Sequence, residues 1–511
     1  MKQLGTDRRY TLATGCRSVR GRGHRPEVRN GLELLWKEAR FFGVRQPDWL
    51  IRKVAPLVGW WRLALSILLI CGAASVYAAP PSRDNQINAT GLSRPGGFIA
   101  LSNQLYFHAN DGAHGDELWV TNGTAGAAYM VKDINPGPGS GGFGTPVAYR
   151  NQLFFSADDG VHGHELWMSD GTAVGTAQVA DINPGAAGSN PRLGAVYAGR
   201  LYFSADDGTN GMELWSTDGT ATGTQLVKTI HQQKRGSNPG SFTEFNGELY
   251  FVANDGRHGF ELWATDGTTA GTRLVKDINP GTNSGNIGAL VEYNGRLYFS
   301  ARDNSDQATL WMTDGAAAGT VPLLPAGGAG TPNVPYPGRL TTYKGKLYFH
   351  AGDRAHGQEL WVTDGTAAGT RLVLDLNPGP ASSAASSFGM REFRGQLYFG
   401  ADDGVHGNEL WVTDGTANGT RMVQDINPGR AGTEIEFAGE NGGKLYFRAN
   451  DDAHGYELWS TDGSAAGTVL AEDIRPGRKS GFSYALVIPF KGKLYFRGED
   501  AVGAGLWTVA P

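Results

Sequence analysis

Cysteine is nearly absent: the 511 residues hold two, Cys16 and Cys71. Both precede everything that repeats in the chain. A disulfide framework, a cysteine-ligated zinc site and a thiol nucleophile are therefore excluded from the body of the protein. Uninterrupted helix-length windows are missing from the repeated unit too, because glycine and proline, 76 and 24 in the chain, punctuate it and break helices. No phosphate loop, dinucleotide fingerprint or His-Glu-x-x-His pattern occurs. Positive charge is scarce where it would matter for nucleic acid. Residues 1–62 carry 14 Lys and Arg against 5 Asp and Glu, which leaves the remainder at −14 out of a total of −5. An acidic body excludes a general nucleic-acid binder, since phosphate contacts need clustered cations.

Present in quantity are aromatic residues: 13 Trp, 18 Tyr and 22 Phe. Nine Leu-Trp pairs set a period, with Trp119, Trp167, Trp215, Trp263, Trp311, Trp361, Trp411, Trp459 and Trp507 spaced by 48 or 50 residues. Tandem units of this length point to propeller blades or solenoid rungs. Within the unit 241–288, four short β-segments are legible. Phe242–Phe245 ends at the tight-turn pair Asn246-Gly247, and Leu249–Ala253 follows. Glu261–Thr265 lies between the turn clusters 254–259 and 266–268. Thr272–Ile278 is stopped by Asn279-Pro280-Gly281. Apolar residues stand at adjacent positions, as in Leu249-Tyr250-Phe251, so both faces of the small sheet need cover. Radial stacking of blades supplies it. The expected fold is an all-β propeller of four-stranded antiparallel blades, nine in number, with eight as the alternative if Leu310–Gly338 is irregular. The last unit stops after its third strand, and Asn85–Gly91 resembles the end of a fourth. Pairing of the two chain ends is therefore expected to close the ring.

Ahead of the repeats, Leu63–Cys71 is an apolar run preceded by Arg52, Lys53 and Arg62 and followed by Val76-Tyr77-Ala78. This is the pattern of a signal peptide cleaved after Ala78, too short and interrupted for a stable membrane span. The organisation expected is a disordered basic extension over 1–62, a signal segment over 63–78 and a propeller over 79–511. The mature protein is expected to be secreted, periplasmic or surface-held, and monomeric.

The run Glu-Leu-Trp-x-x-Asp-Gly-Thr stands at Glu165–Thr172, Glu213–Thr220, Glu261–Thr268, Glu359–Thr366 and Glu409–Thr416. It resembles the defining motif of the bacterial ELWxxDGT-repeat proteins over residues 95–507. Asn122 and Ser464 depart from it in units one and eight, and units five and nine lack the Glu. The resemblance implies an exported bacterial protein and implies little about activity.

Asp, His and Glu recur together before each Leu-Trp, as in Asp159–Glu165. Calcium is the one cofactor such oxygen-rich loops permit, but the spacing reads as turn chemistry, with Asp capping the turn and His and Glu bonding to backbone or to the next blade, so no cofactor is expected. Residues repeated in every unit are architectural; a site should show itself in departures from the repeat. These are His231, Lys234, Arg235, Arg302, Asn304, Arg391, Glu434 and Glu436, taken as candidate ligand contacts. No nucleophile–base set is among them. The function expected is a noncatalytic binding or scaffold propeller that recognises a protein or glycan through loops on one face. The alternative is a propeller hydrolase or lyase with its active site at the central channel.

Overall fold

In a computed structural model, the chain divides into two units, Met1–Tyr77 and Ala78–Pro511. The structure describes residues 92–124, 126–304, 308–324, 338–383, 389–482 and 487–510, all in the second unit. The basic extension, the signal segment and Asn85–Gly91 lie outside the described residues. Among the described residues no helix is long and apolar enough to cross a membrane.

The second unit is a nine-bladed β-propeller. Eight blades are four-stranded antiparallel meanders and the ninth shows three strands. Blade 4 is representative, with strands Gly240–Phe245, Glu248–Asn254, Phe260–Thr265 and Arg273–Lys276. First strands of neighbouring blades approach one another, so they are innermost and line the channel, while fourth strands lie at the rim. The meander then places the loops between second and third strands, with the blade-to-blade linkers, at one end. That end is called the upper face here; the first hairpins and Asp-Gly-Thr turns form the lower face.

Adjacent apolar positions in the second strand serve opposite sides. Leu249, Phe251, Ala253 and Trp263 pack on Tyr202, Leu214, Val227 and Ile230 of blade 3. Tyr250, Leu262, Val275 and Ile278 pack on Leu297, Phe299 and Trp311 of blade 5. Phe251 and Trp263 are cross-strand partners, so each Trp completes an aromatic pair pressed against the preceding blade. The same exchange closes the ring: Leu105, Phe107 and Trp119 of blade 1 meet Phe490, Tyr495 and Leu506 of blade 9. Lys491 Nζ donates to the Asn122 carbonyl at 2.8 Å. Closure among the described residues is thus by packing between faces. The irregularity expected at Leu310–Gly338 shortens the fourth strand of blade 5 to Val321–Pro322 without removing a blade.

The repeated Glu holds the linker. Glu165 is fully buried and accepts from the N–H groups of Ile182, Asn183 and Ser189 at 3.0, 3.1 and 2.8 Å. Equivalent glutamates do the same beneath the other linkers that end Asp-Ile-Asn-Pro-Gly. Burial pushes their carboxyls up, to about 7 for Glu117, Glu261, Glu359 and Glu409 and to about 8 for Glu457. Glycine is required where the upper loop touches the linker. At Gly163, with φ of 66°, a Cβ would sit 2.7 Å from Gly188 N.

Candidate functional site

The Asp of each Asp-x-x-His loop caps its turn, as expected, while the His ring pairs with that same Asp and not with backbone or the next blade. Asp403 Oδ1 accepts from the N–H groups of Val405 and His406 at 2.9 and 2.8 Å, and Oδ2 lies 2.7 Å from His406 Nδ1. Five further blades repeat the His pairing. The bond to Asp403 raises the pKa of His406. Among the described residues no group of three His, Cys, Asp or Glu is placed to hold a metal.

The eight candidate contacts fall in four places. His231 is buried and occupies the position of the linker Asn. Its Nδ1 lies 2.9 Å from the Gln233 carbonyl and its N–H donates to Glu213 at 2.9 Å, so its first task is to hold the linker. Arg235 joins it in a groove on the upper face, with Lys234 exposed beside it. Arg302 and Asn304 share a neighbouring recess. Arg391 lies on the innermost strand of blade 7, 3.8 Å from Glu440 of blade 8.

Glu434 and Glu436 alone enter a charged cluster at the upper mouth of the channel. Both place Oε2 3.7 Å from Arg448 Nη1, at the end of the second strand of blade 8. Their carboxylates therefore lie within about 7 Å of each other. Arg448 is fixed on two further sides: its guanidinium stands 3.7 Å over the Tyr456 ring and its Nε donates to the Phe482 carbonyl at 3.1 Å. Burial and then the neighbouring Glu434 raise the pKa of Tyr456. Arg339, from the entry to blade 6, lies within electrostatic reach of both Glu436 and His350. Burial, helped by that cation, holds the His350 imidazole down at about 4 and keeps it neutral. Below the mouth, Glu244, Glu292, Glu392 and Glu440 are exposed on the innermost strands of blades 4, 5, 7 and 8, Glu440 being the partner of Arg391.

Arg448, Tyr456, Arg339 and His350 were not singled out from sequence. A signal existed. The residue after Leu-Tyr-Phe or Leu-Phe-Phe in the second strand is His108, Ser156, Ser204, Val252, Ser300, His350, Gly400, Arg448 and Arg497 in turn, a variable position within a constant frame. Its partner across the inner hairpin is Gly96 for His108, Gly240 for Val252 and Glu436 for Arg448.

No family model matches the chain, and no curated protein matches it. Solved structures resemble it. A puromycin hydrolase is 13% identical over 70% of this chain and 58% of its own, with a TM-score of 0.36. One of a pair of prolyl endopeptidases is 12% identical over 80% and 62%, with a TM-score of 0.37. A puromycin-hydrolyzing peptidase of Mycobacterium tuberculosis is 13% identical over 73% and 59%, with a TM-score of 0.36. The chain spans about three fifths of the length of these structures. The expectation of a noncatalytic binding or scaffold propeller is corrected to this extent: the neighbours named are hydrolases and peptidases, which sit with the alternative, a propeller hydrolase, and not with a scaffold. At such TM-scores the likeness carries no argument about chemistry. That argument rests on the channel mouth.

Proposed function

We propose that the protein is a propeller hydrolase acting on a glycan at the upper mouth of the central channel. The observation that carries this reading is the pair of carboxylates, Glu434 and Glu436, sharing the Arg448 guanidinium on the channel wall. Two carboxylates flanking a glycosidic bond are the arrangement that cleaves it; with one giving a proton to the departing oxygen and the other taking one from water, they stand roughly 6.5–9.5 Å apart, and the shared guanidinium caps the Glu434–Glu436 separation near the lower end of that range. The Glu436 side chain is 19% exposed and that of Glu434 43%. The deeper Glu436 is assigned as acid and the more open Glu434 as base. Water adds to the anomeric carbon as the carbon–oxygen bond breaks, its proton passing to Glu434 while Glu436 protonates the leaving oxygen. Arg448 touches both and is a positioning residue. The leader pattern and the resemblance to ELWxxDGT-repeat proteins support an exported enzyme working on an external substrate.

The test is release of reducing ends from a panel of polysaccharides by the full-length protein. Glu434→Gln and Glu436→Gln should each lower kcat by about 100-fold or more while leaving the melting temperature in place. Full activity in both variants overturns the assignment. A product with a new carbon–carbon double bond would make the enzyme a lyase instead.

A further inference from the structure

Away from the channel mouth, the upper face carries a groove of about 670 Å³ between the linker that enters blade 4 and the upper loop of that blade. Gln233, Arg235, Asn238, Asn254, Phe260 and Thr282 line it. A second recess of about 240 Å³ begins at the next residue, Asn283, and holds Arg302 and Asn304. We propose that this groove binds a neutral oligosaccharide strand, at a site separate from the carboxylate pair.

Three features support this. The first is location of sequence change. The linkers on either side read Asp-Ile-Asn-Pro-Gly, but here Thr229–Gln233 reads Thr-Ile-His-Gln-Gln, and Arg302-Asp303-Asn304 stands where three units have Asp-Asp-Gly and two have Asn-Asp-Gly. Of the nine third strands, that of blade 4 alone begins with Phe, at Phe260.

The second feature is a built floor. His231 is buried, with Nδ1 accepting from the Gln233 N–H at 3.1 Å. A Cβ on Gly256 would stand 2.6 Å from His231 Nε2. The imidazole thus fills the space between linker and upper loop and holds Gln233 at the groove. Asn238 and Asn254 are anchored through their own backbones, whose N–H groups donate to the carbonyls of Met212 and Ser237 at 3.0 Å each.

The third feature is chemistry. Carboxamides both donate and accept, which matches hydroxyls that do the same, and Arg235 adds further donors. Phe260 is half-buried and offers an apolar surface against which a sugar ring can rest. Arg235 is the one Lys or Arg on the lining, with Lys234 beside it and Arg302 in the next recess, whereas a phosphate or sulfate polymer would call for several cations along the lining itself. A peptide strand would call for an unpaired sheet edge or apolar pockets. Neither describes this lining. Volume falls in the range of roughly 300–1,000 Å³ that small-molecule sites occupy.

The experiment uses full-length protein carrying Glu436→Gln, so that hydrolysis at the mouth does not consume the probe. Xylohexaose, cellohexaose and chitohexaose are titrated by calorimetry and by saturation-transfer NMR. At least one should bind saturably. Adding Gln233→Ala and Arg235→Ala, both on exposed loop positions, should weaken that binding roughly tenfold or more without moving the melting temperature. Phe260→Leu should weaken it independently. In the native background, the Gln233→Ala/Arg235→Ala protein should still cleave a short chromogenic glycoside, which separates failure of the groove from failure of the catalytic reading. The proposal is overturned if no hexasaccharide binds, or if the groove variants bind as tightly as their parent.

Discussion

Replacing Glu261 with glutamine tests what the repeated glutamate does and in which protonation state it does it. Glu261 is fully buried. Its Oε2 accepts from the Ile278 N–H at 3.0 Å and its Oε1 from the Asn279 N–H at 3.2 Å. Two effects oppose each other. Removal from water favours the neutral acid, and the N–H donors favour the anion. Burial prevails, moving the pKa from 4.5 to about 7. An acid raised in the folded state keeps its proton longer there than in the unfolded chain. Its contribution to stability is therefore complete below pH 4.5 and is lost as pH rises through about 7. That rise corresponds to about 3 kcal/mol. Glutamine does not titrate. In mild acid it should be the worse residue by ~1–3 kcal/mol, because its amide nitrogen confronts a buried N–H that then lacks an acceptor. Between about pH 5 and pH 8 the difference should close by most of that 3 kcal/mol, bringing the variant level with the native protein. Urea midpoints of both proteins at the two pH values measure this directly. A difference that widens with pH would refute the reasoning, since it would make the glutamate an anion throughout, held by its donors.

Two further outcomes follow from the same structure. Phe251→Ala removes a fully buried ring from the contact between blades 3 and 4 and should cost ~3–5 kcal/mol, read from the urea midpoint. Asp403→Asn takes away the bond that raises His406. An NMR titration of that imidazole should then return toward the ordinary value of 6.5, and an unchanged titration would show that Asp403 is not its cause.

Blade architecture was legible because it is local and repeated. Asn246-Gly247, the cluster 254–259 and Asp266-Gly267 set the turns by backbone conformation alone. The Leu-Tyr-Phe and Leu-Trp runs demanded cover on both faces, which nine copies of one unit supply to each other. The Asp-x-x-His loops were legible for the same reason, being closed by bonds spanning three residues. That the repeated Glu bonds to backbone was legible, but which backbone was not, since the partners of Glu165 and Glu261 lie 17 to 24 residues away in the linker.

The departures from the repeat could be found in sequence but not grouped. His231 looked like a contact residue and became the filler beneath a groove; Arg391 went to the channel wall; Glu434 and Glu436 met at one guanidinium. Arg448, Tyr456 and His350 sit inside strands, where a sequence reading assigns them to packing. Only the closing of nine blades around one axis turns those strand positions inward and brings Arg339 of blade 6 near Glu436 of blade 8. The chain's own order determined the unit and its turns. The ring determined which variable side chains face one another, because electrostatic proximity there depends on distances across the channel that no spacing along the chain encodes.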